Sequence, residues 1–393
     1  RGLHMNDYMR ESLSYFGLFA RMFQVKKVLK PECFAYGRHR DQYCLYYEPK
    51  IAVSDKIIVW VHGGGWNAGN PRNFDFVGQR IAGEGYRMIS VGYRLSPKYK
   101  YPCQVRDVCK AYNKAMSFLE GKGVDTSKVV VAGPSAGAHL TSIMCYSKKV
   151  QEKYQVDISN VIGYVGWGGP YSFREDQGKT ISILLNQLFK KGYDRRNGEP
   201  VALQSRNHIP MLLIQSKHDG LIEFRCAEDF EKKAKMVGNK CEIYSVKDKK
   251  NTHSWYTAGA FMDTRKENQD LDKFFTWVEE LLMDEKPVTE SQLPAGKSQA
   301  LDIPFGDLEN WLIPVGLLKG LDRDTLVRLC CIPIGCDEVN GDSVVVTFAA
   351  NDPQNIDTSK ELSMIIGKEV NLILGGHDAI LKKIDEYYPV VKK

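Results

Sequence analysis

Ser135 stands in Gly133-Pro134-Ser135-Ala136-Gly137, between the β-branched run Val129-Val130-Val131-Ala132 and a helix-like stretch from Ala136 to Ser147. A strand that turns sharply into a helix through G-x-S-x-G is a nucleophile elbow. The serine occupies a strained turn, and flanking glycines keep side chains away from the crossing strand and helix. The turn lifts the hydroxyl clear of the sheet and aims the first N–H groups of the helix at negative charge formed nearby.

A second element supplies what such a nucleophile needs. Lys56-Ile57-Ile58-Val59-Trp60-Val61 reads as a buried strand and runs into His62-Gly63-Gly64-Gly65-Trp66. Three successive glycines present backbone N–H groups unobstructed by side chains, as an oxyanion hole requires. The expected donors are Gly64, Gly65 and Ala136, and losing one costs about 3 kcal/mol of transition-state stabilisation. Trp66 is assigned to substrate binding, and His62 to propping the loop without proton transfer. A glycine-rich loop that merely turns is the bland alternative.

The base must come from eight histidines. His4 lies in Arg1-Gly2-Leu3-His4, which reads as vector-derived sequence before Met5. His39 and His208 precede predicted strands, His377 belongs to a later segment, and His139 should pack beside the elbow one turn along its helix. His218 and His253 remain. The apolar run Met211 to Gln215 ends in Ser216-Lys217-His218-Asp219, and His253 follows in the polar loop Asn251-Thr252-His253-Ser254-Trp255. Asp219 then His253 completes the order Ser…Asp…His. His218 precedes its own acid. The rival acids, Asp229 in a helix-like stretch and Asp248 among lysines, do not follow a core strand. Ser135 is the expected nucleophile, His253 the general base and then acid, and Asp219 the group orienting the imidazole.

With these motifs the segment from 30 to 284 resembles the α/β-hydrolase esterase/lipase group that includes hormone-sensitive-lipase-like enzymes and bacterial feruloyl and acetyl esterases. Glu32 to Pro49 resembles its opening hairpin, and Tyr93-Arg94-Leu95-Ser96-Pro97 its Y-R-L-x-P stretch. Tyr101-Pro102 through Asp107-Val108 resembles the start of the following helix. The resemblance implies an α/β-hydrolase fold with a mostly parallel central sheet and a serine carboxylesterase without cofactor. The sequence departs from the group at Pro134, where many relatives carry an acid. The region between Tyr171 and His208 is short, which implies a short cap and an open site.

Composition agrees. The 393 residues suggest more than one domain. The chain is 43% hydrophobic and 26% charged, ordinary for a globular protein. No apolar run approaches roughly 18 residues, so no transmembrane helix is expected. The ten cysteines are scattered apart from Cys330-Cys331, and without a signal peptide they read as free cytosolic thiols, not a disulfide framework. Secretion is the alternative if a signal peptide before Met5 has been removed. No C-x-x-C pairing suggests zinc. The net charge of +6 is dispersed, so nucleic-acid binding gains no support.

At the amino terminus, residues 1–29 comprise the foreign start and an amphipathic helix over Tyr8 to Leu29, with Leu13, Phe16, Phe19, Met22 and Phe23 on its apolar stripe. Covering the site mouth, lying on a membrane and packing on the body are its three possible roles, and an apolar stripe favours packing. A final sheet-covering helix over Leu271 to Met283 closes the catalytic unit, and 285–300 reads as linker. Within it, Ala295-Gly296-Lys297-Ser298 is no phosphate loop, because Ser291 stands where the first glycine belongs.

Residues 301–393 form a small α+β unit. Ile332-Pro333-Ile334, the Ala349-to-Asn355 turn with its A-x-x-D-P-x-N pattern, and Ile384-x-x-Tyr387-Tyr388 resemble the amino-terminal domain of type II secretion and type IV pilus ATPases. The resemblance implies a docking module for a protein partner. The R-L-G-type repeats linked to cyclic-dinucleotide binding are absent, and a simple α+β decoration is the alternative. The expected activity is hydrolysis of short acyl or aryl-acyl esters of a small molecule or glycan. Arylformamidase, serine peptidase, and a non-catalytic scaffold acting through the last unit are the competing readings.

Overall fold

Apolar strands bounded by glycine turns and alternating with amphipathic helices predict a parallel sheet covered on both faces. The computed structural model describes residues 7–22, 25, 27–174, 178–248, 252–262, 268–281, 313, 318, 320–339, 343–350, 356–374 and 377–388. The 285–300 linker and residues 301–312 lie outside them.

The main sheet contains β1 (Glu32–Ala35), β2 (Tyr43–Tyr47), β3 (Ile57–Val61), β4 (Arg87–Val91), β5 (Val129–Pro134), β6 (Val161–Trp167), β7 (Met211–Gln215) and β8 (Cys241–Ser245), in the order β1-β2-β4-β3-β5-β6-β7-β8. β1 pairs antiparallel with β2 and β2 with β4; every other pairing is parallel. The first helices are α1 (Asp7–Met22), α2 (Asp75–Gly83), α3 (Cys103–Glu120), α4 (Ala136–Tyr146) and α5 (Lys148–Tyr154). They are followed by α6 (Lys179–Leu188), α7 (Pro200–Leu203), α8 (Arg225–Val237), α9 (His253–Thr257) and α10 (Gln269–Glu280).

The strand period of two divides the core. Ile57, Val59, Val61, Val129, Val131, Met211 and Leu213 join buried residues of α3, α4 and α8 on one face. Ile58, Trp60, Val130, Ala132, Leu212 and Ile214 join α2 and α10 on the other. Because β3, β5 and β7 are buried on both sides, they read as largely unbroken apolar runs.

A second, three-stranded sheet has the order β11-β10-β9, made of β9 (Cys331–Val339), β10 (Ser343–Ala350) and β11 (Glu369–Leu374). α11 (Arg323–Leu329), α12 (Ile356–Ile366) and α13 (His377–Tyr387) accompany it. Its separate core includes Leu326, Ile332, Ile334, Phe348, Leu362, Ile380 and Ile384. Asn351 to Asn355, the expected turn, lie outside the described residues.

Two local expectations need correction. α1 ends at Met22, not Leu29, and Leu13 is 58% exposed while Leu18 is buried. The polar loop expected around His253 is instead the first turn of α9. Among the described residues no helix is long and apolar enough to cross a membrane.

Candidate active site

The carboxyl ends of β3, β5, β6, β7 and β8 converge on one edge of the sheet, where open α/β sheets place their ligands. Ser135 follows β5 directly and caps α4 with φ 51° and ψ −119°. Its N–H donates to Trp167 O at 2.7 Å, and its own carbonyl accepts from His139 N at 3.0 Å. A Cβ on Gly137 would stand 2.0 Å from Val61 O, so only glycine lets α4 start this close to β3. The serine remains half-buried, and its hydroxyl forms no hydrogen bond among the described residues.

The loop after β3 holds Gly64 at φ 107° and Gly65 at φ 58°. Gly64 O accepts from Asn67 and Ala68 N–H at 3.2 and 3.0 Å, which closes the turn. Neither glycine's own N–H is committed among the described residues. Ala136 is the first residue of α4, so its N–H has no intrahelical acceptor.

Two buried histidines brace this loop. His62 stacks between Tyr93 and Phe74, and its Nδ1–H donates to Gly63 O at 2.7 Å. Trp66 is 1% exposed, and its indole N–H donates to His139 Nδ1 at 3.2 Å. The indole can only donate, so Nδ1 accepts and Nε2–H donates to Gly198 O at 2.8 Å. Burial pushes both imidazoles down to about 4 and keeps them neutral. The structure thus places Trp66 beneath the loop as a support, with almost no surface left for a substrate. On the cap side, Leu184 of α6 packs at Gly65, and Asn67 Nδ2 donates to Gln187 Oε1 at 2.7 Å.

Asp219 lies in the loop after β7, with no exposed side-chain surface. Its Oδ1 accepts the N–H groups of Leu221 and Ile222 at 2.8 and 2.7 Å. Its Oδ2 accepts His253 Nδ1–H at 2.7 Å, Tyr256 Oη–H at 2.6 Å and Gln215 Nε2 at 3.4 Å. This tautomer leaves His253 Nε2 with a lone pair and, among the described residues, no hydrogen bond. Burial alone would lower His253. The charge and hydrogen bond of Asp219 and the charge of Glu11 outweigh burial and hold the imidazole above its ordinary value.

Gly168, one residue beyond β6, separates the serine and histidine sides of the site. The preceding carbonyl holds Ser135 N–H, and a Cβ on Gly168 would stand 2.9 Å from His253 Cε1 and 2.5 Å from Tyr256 Oη. With φ at 56° as well, Gly168→Ala is expected to cost about 1–3 kcal/mol and to lower kcat. Thermal melts and ester kinetics check both, and an unaltered Tm and kcat would mean that the contact is slack.

Of the other candidates, Asp229, His39 and His208 have their side chains engaged elsewhere. Asp229, on α8, accepts from Ser172 Oγ at 2.9 Å and Arg174 Nη1 at 3.2 Å. His39 meets Tyr99 Oη at 3.0 Å, and His208 Nε2 donates to Val161 O at 3.1 Å. His218 has its N–H on Ser216 Oγ and its carbonyl on Arg10, and Asp248 lies beyond β8. His4 and the side chain of His377 lie outside the described residues. Tyr256 and Glu11 escape sequence reasoning. The first sits one helical turn after His253, a spacing visible only once α9 is known, and the second is 242 residues away.

The order of the main sheet, its covering helices and the elbow after β5 give the α/β-hydrolase fold. Residues 44–234 match the BD-FAE family model, and residues 301–392 match the MshEN domain model. Esterase LipC of Mycobacterium tuberculosis is 26% identical over 196 residues, 46% of this chain and 48% of the relative. The chain therefore spans about half the length of that curated relative. The Francisella virulence factor BioJ superposes with a TM-score of 0.55 at 19% identity, covering 70% of this chain and 93% of that one. A truncated carbohydrate esterase from gut microbiota gives 0.54 at 18% identity, covering 65% and 98%.

Proposed function

We propose that the chain is a serine carboxylesterase acting on short acyl or aryl-acyl esters, those of carbohydrates included, with Ser135, His253 and Asp219 as its triad. The observation carrying this reading is the Asp219–His253 pair, which leaves Nε2 unprotonated at the edge where the strained Ser135 and three uncommitted N–H groups lie. Ser135 Oγ attacks the ester carbonyl as its proton passes to Nε2. The oxyanion is met by the N–H groups of Gly64, Gly65 and Ala136. Collapse expels the alcohol, which takes the proton from Nε2. Water then attacks the acyl-enzyme, giving its proton to Nε2, and the second collapse returns that proton to Ser135 Oγ as the acid leaves.

Two features bear on substrate size, a short cap that leaves the site open and a side chain that narrows it. Among the described residues between Tyr171 and His208 the cap carries α6, α7 and one 3-10 turn, and Leu184 narrows the space at Gly65. The gut-microbiota carbohydrate esterase supports the carbohydrate alternative by fold alone. A chromogenic panel of acetyl, butyryl, octanoyl and feruloyl esters, with wild type beside Ser135→Ala, tests the proposal. Serine-dependent turnover supports it, whereas a folded protein inert on every ester favours formamide or peptide substrates or a non-catalytic scaffold.

The unit at 301–393 contributes none of these groups. Truncation after Met283 is therefore expected to leave kcat/KM on a small ester within about threefold of wild type, as for sites sharing no partners. An insoluble product, or a loss beyond tenfold, would make the second unit part of the catalytic body.

A further inference from the structure

We infer that Glu11, on the N-terminal helix α1, is a positioning residue that fixes His253 by capping the first turn of α9, so that α1 is a working part of the site. The inference rests on the role of His253 as base proposed above.

α9 is five residues long, far too short to hold itself. Its N-cap residue, Thr252, makes no side-chain cap. The first two N–H groups of the helix instead go to one carboxylate: His253 N–H donates to Glu11 Oε2 at 2.5 Å and Ser254 N–H to Oε1 at 3.0 Å. An anion at a helix N-terminus satisfies orphan donors and opposes the macrodipole in one contact. The hydroxyls extend the clamp. Ser14 Oγ meets Ser254 Oγ at 2.7 Å, and Thr252 Oγ1 donates to Ser14 Oγ at 3.0 Å.

The same helix also reaches the loop of the acid, where Arg10 Nη2 donates to His218 O at 3.1 Å, one residue before Asp219. Beyond α1, the chain is fastened by Val28 and Leu29 N–H donating to Gln79 Oε1 at 3.0 and 2.8 Å. Packing alone does not account for Glu11, which is 3% exposed. A buried carboxylate costs several kcal/mol unless its partners compensate, and an apolar side chain would fill the volume without that penalty. What the carboxylate adds is a fixed origin for the helix that carries the imidazole.

Four titratable groups besides Glu11 stand around the imidazole and the loop of its acid, and of these Asp219 acts on its charge. Asp219 holds Nδ1, Tyr256 shares Oδ2 of that acid, and Arg10 and His218 flank the loop. Glu11 and Asp219 both favour imidazolium. Removing the charge of Glu11 therefore lowers the pKa of His253, and the acid limb of kcat/KM moves to lower pH.

The test uses the full chain with Glu11→Ala and Glu11→Gln, each checked for folding by circular dichroism and Tm. Loss of fixed geometry in Glu11→Ala should cut kcat about tenfold to a hundredfold while KM stays within about twofold. Glu11→Gln keeps one oxygen acceptor without the charge. It should recover part of kcat yet still show the downward shift of the acid limb. Amide exchange across 252–258 should accelerate in Glu11→Ala. Unchanged kcat, acid limb and exchange in a folded Glu11→Ala would overturn the inference. Should wild type hydrolyse no ester, the esterase reading fails by itself, and exchange together with NMR titration of the His253 imidazole still decides the positioning role. An unchanged exchange rate and titration would then sink it.

Discussion

Ser135→Ala is expected to lower kcat/KM on a short ester by about 10⁴- to 10⁶-fold, the range for loss of a triad nucleophile. The substitution removes the attacking oxygen and nothing else of consequence. Ser135 already holds φ 51°, and alanine meets the same backbone strain as serine. Its hydroxyl forms no hydrogen bond among the described residues, so stability should change by less than about 0.5 kcal/mol. The uncommitted N–H groups of Gly64 and Gly65 remain, so the residual rate should still exceed that in water. Steady-state kinetics with a matched thermal melt checks the pair of expectations. Near-wild-type turnover from a folded variant would move the nucleophile elsewhere.

His253→Ala is expected to be equally severe, about 10⁴-fold or more in kcat, because serine without its base is a poor nucleophile. His218→Ala serves as the control and should cost less than about tenfold, since its imidazole is not the one on Asp219 Oδ2. Triad members act as a unit, so Ser135→Ala/His253→Ala should be about as slow as the worse single variant. As the proposed base, the same imidazole is expected to set the pH profile. His253 accepts a proton only when neutral, and the carboxylates of Asp219 and Glu11 hold it above its ordinary value. The acid limb of kcat/KM should therefore lie above about 6.5, with activity lost as pH falls through it. An acid limb below the ordinary imidazole value, or a crippled His218→Ala beside an active His253→Ala, would reassign the base.

Much of the fold is legible because its signals are local. Ile57–Val61, Val129–Pro134 and all of Met211–Gln215 but its final glutamine are apolar, as two-sided burial requires, and the glycines of the elbow and of the loop after β3 mark turns that few other residues tolerate. Ser135 and Asp219 are singled out as candidates by the turns that follow strands, and His253 by the chain order Ser…Asp…His. β6 is harder to read, since Gly163 and Gly166 interrupt its run and resemble loop residues. Gly163 makes room for Leu281 and Trp277, and Gly166 for Tyr171 and Tyr164. α9 is invisible for a different reason. Five residues carry no periodicity, and their helical state depends on a carboxylate supplied by α1.

The sequence alone therefore determined the core strands β3, β5 and β7, the order of the candidate chemical groups along the chain and the turns that display them, all of which depend on neighbours a few residues apart. Only the tertiary structure decided which histidine meets Asp219, that Trp66 lies beneath its loop, and that Gly168 spaces the two halves of the site. It alone showed Glu11 holding the backbone of His253. Those outcomes depend on hydrogen bonds between residues tens to hundreds of positions apart, whose partners come together only after the sheet has packed.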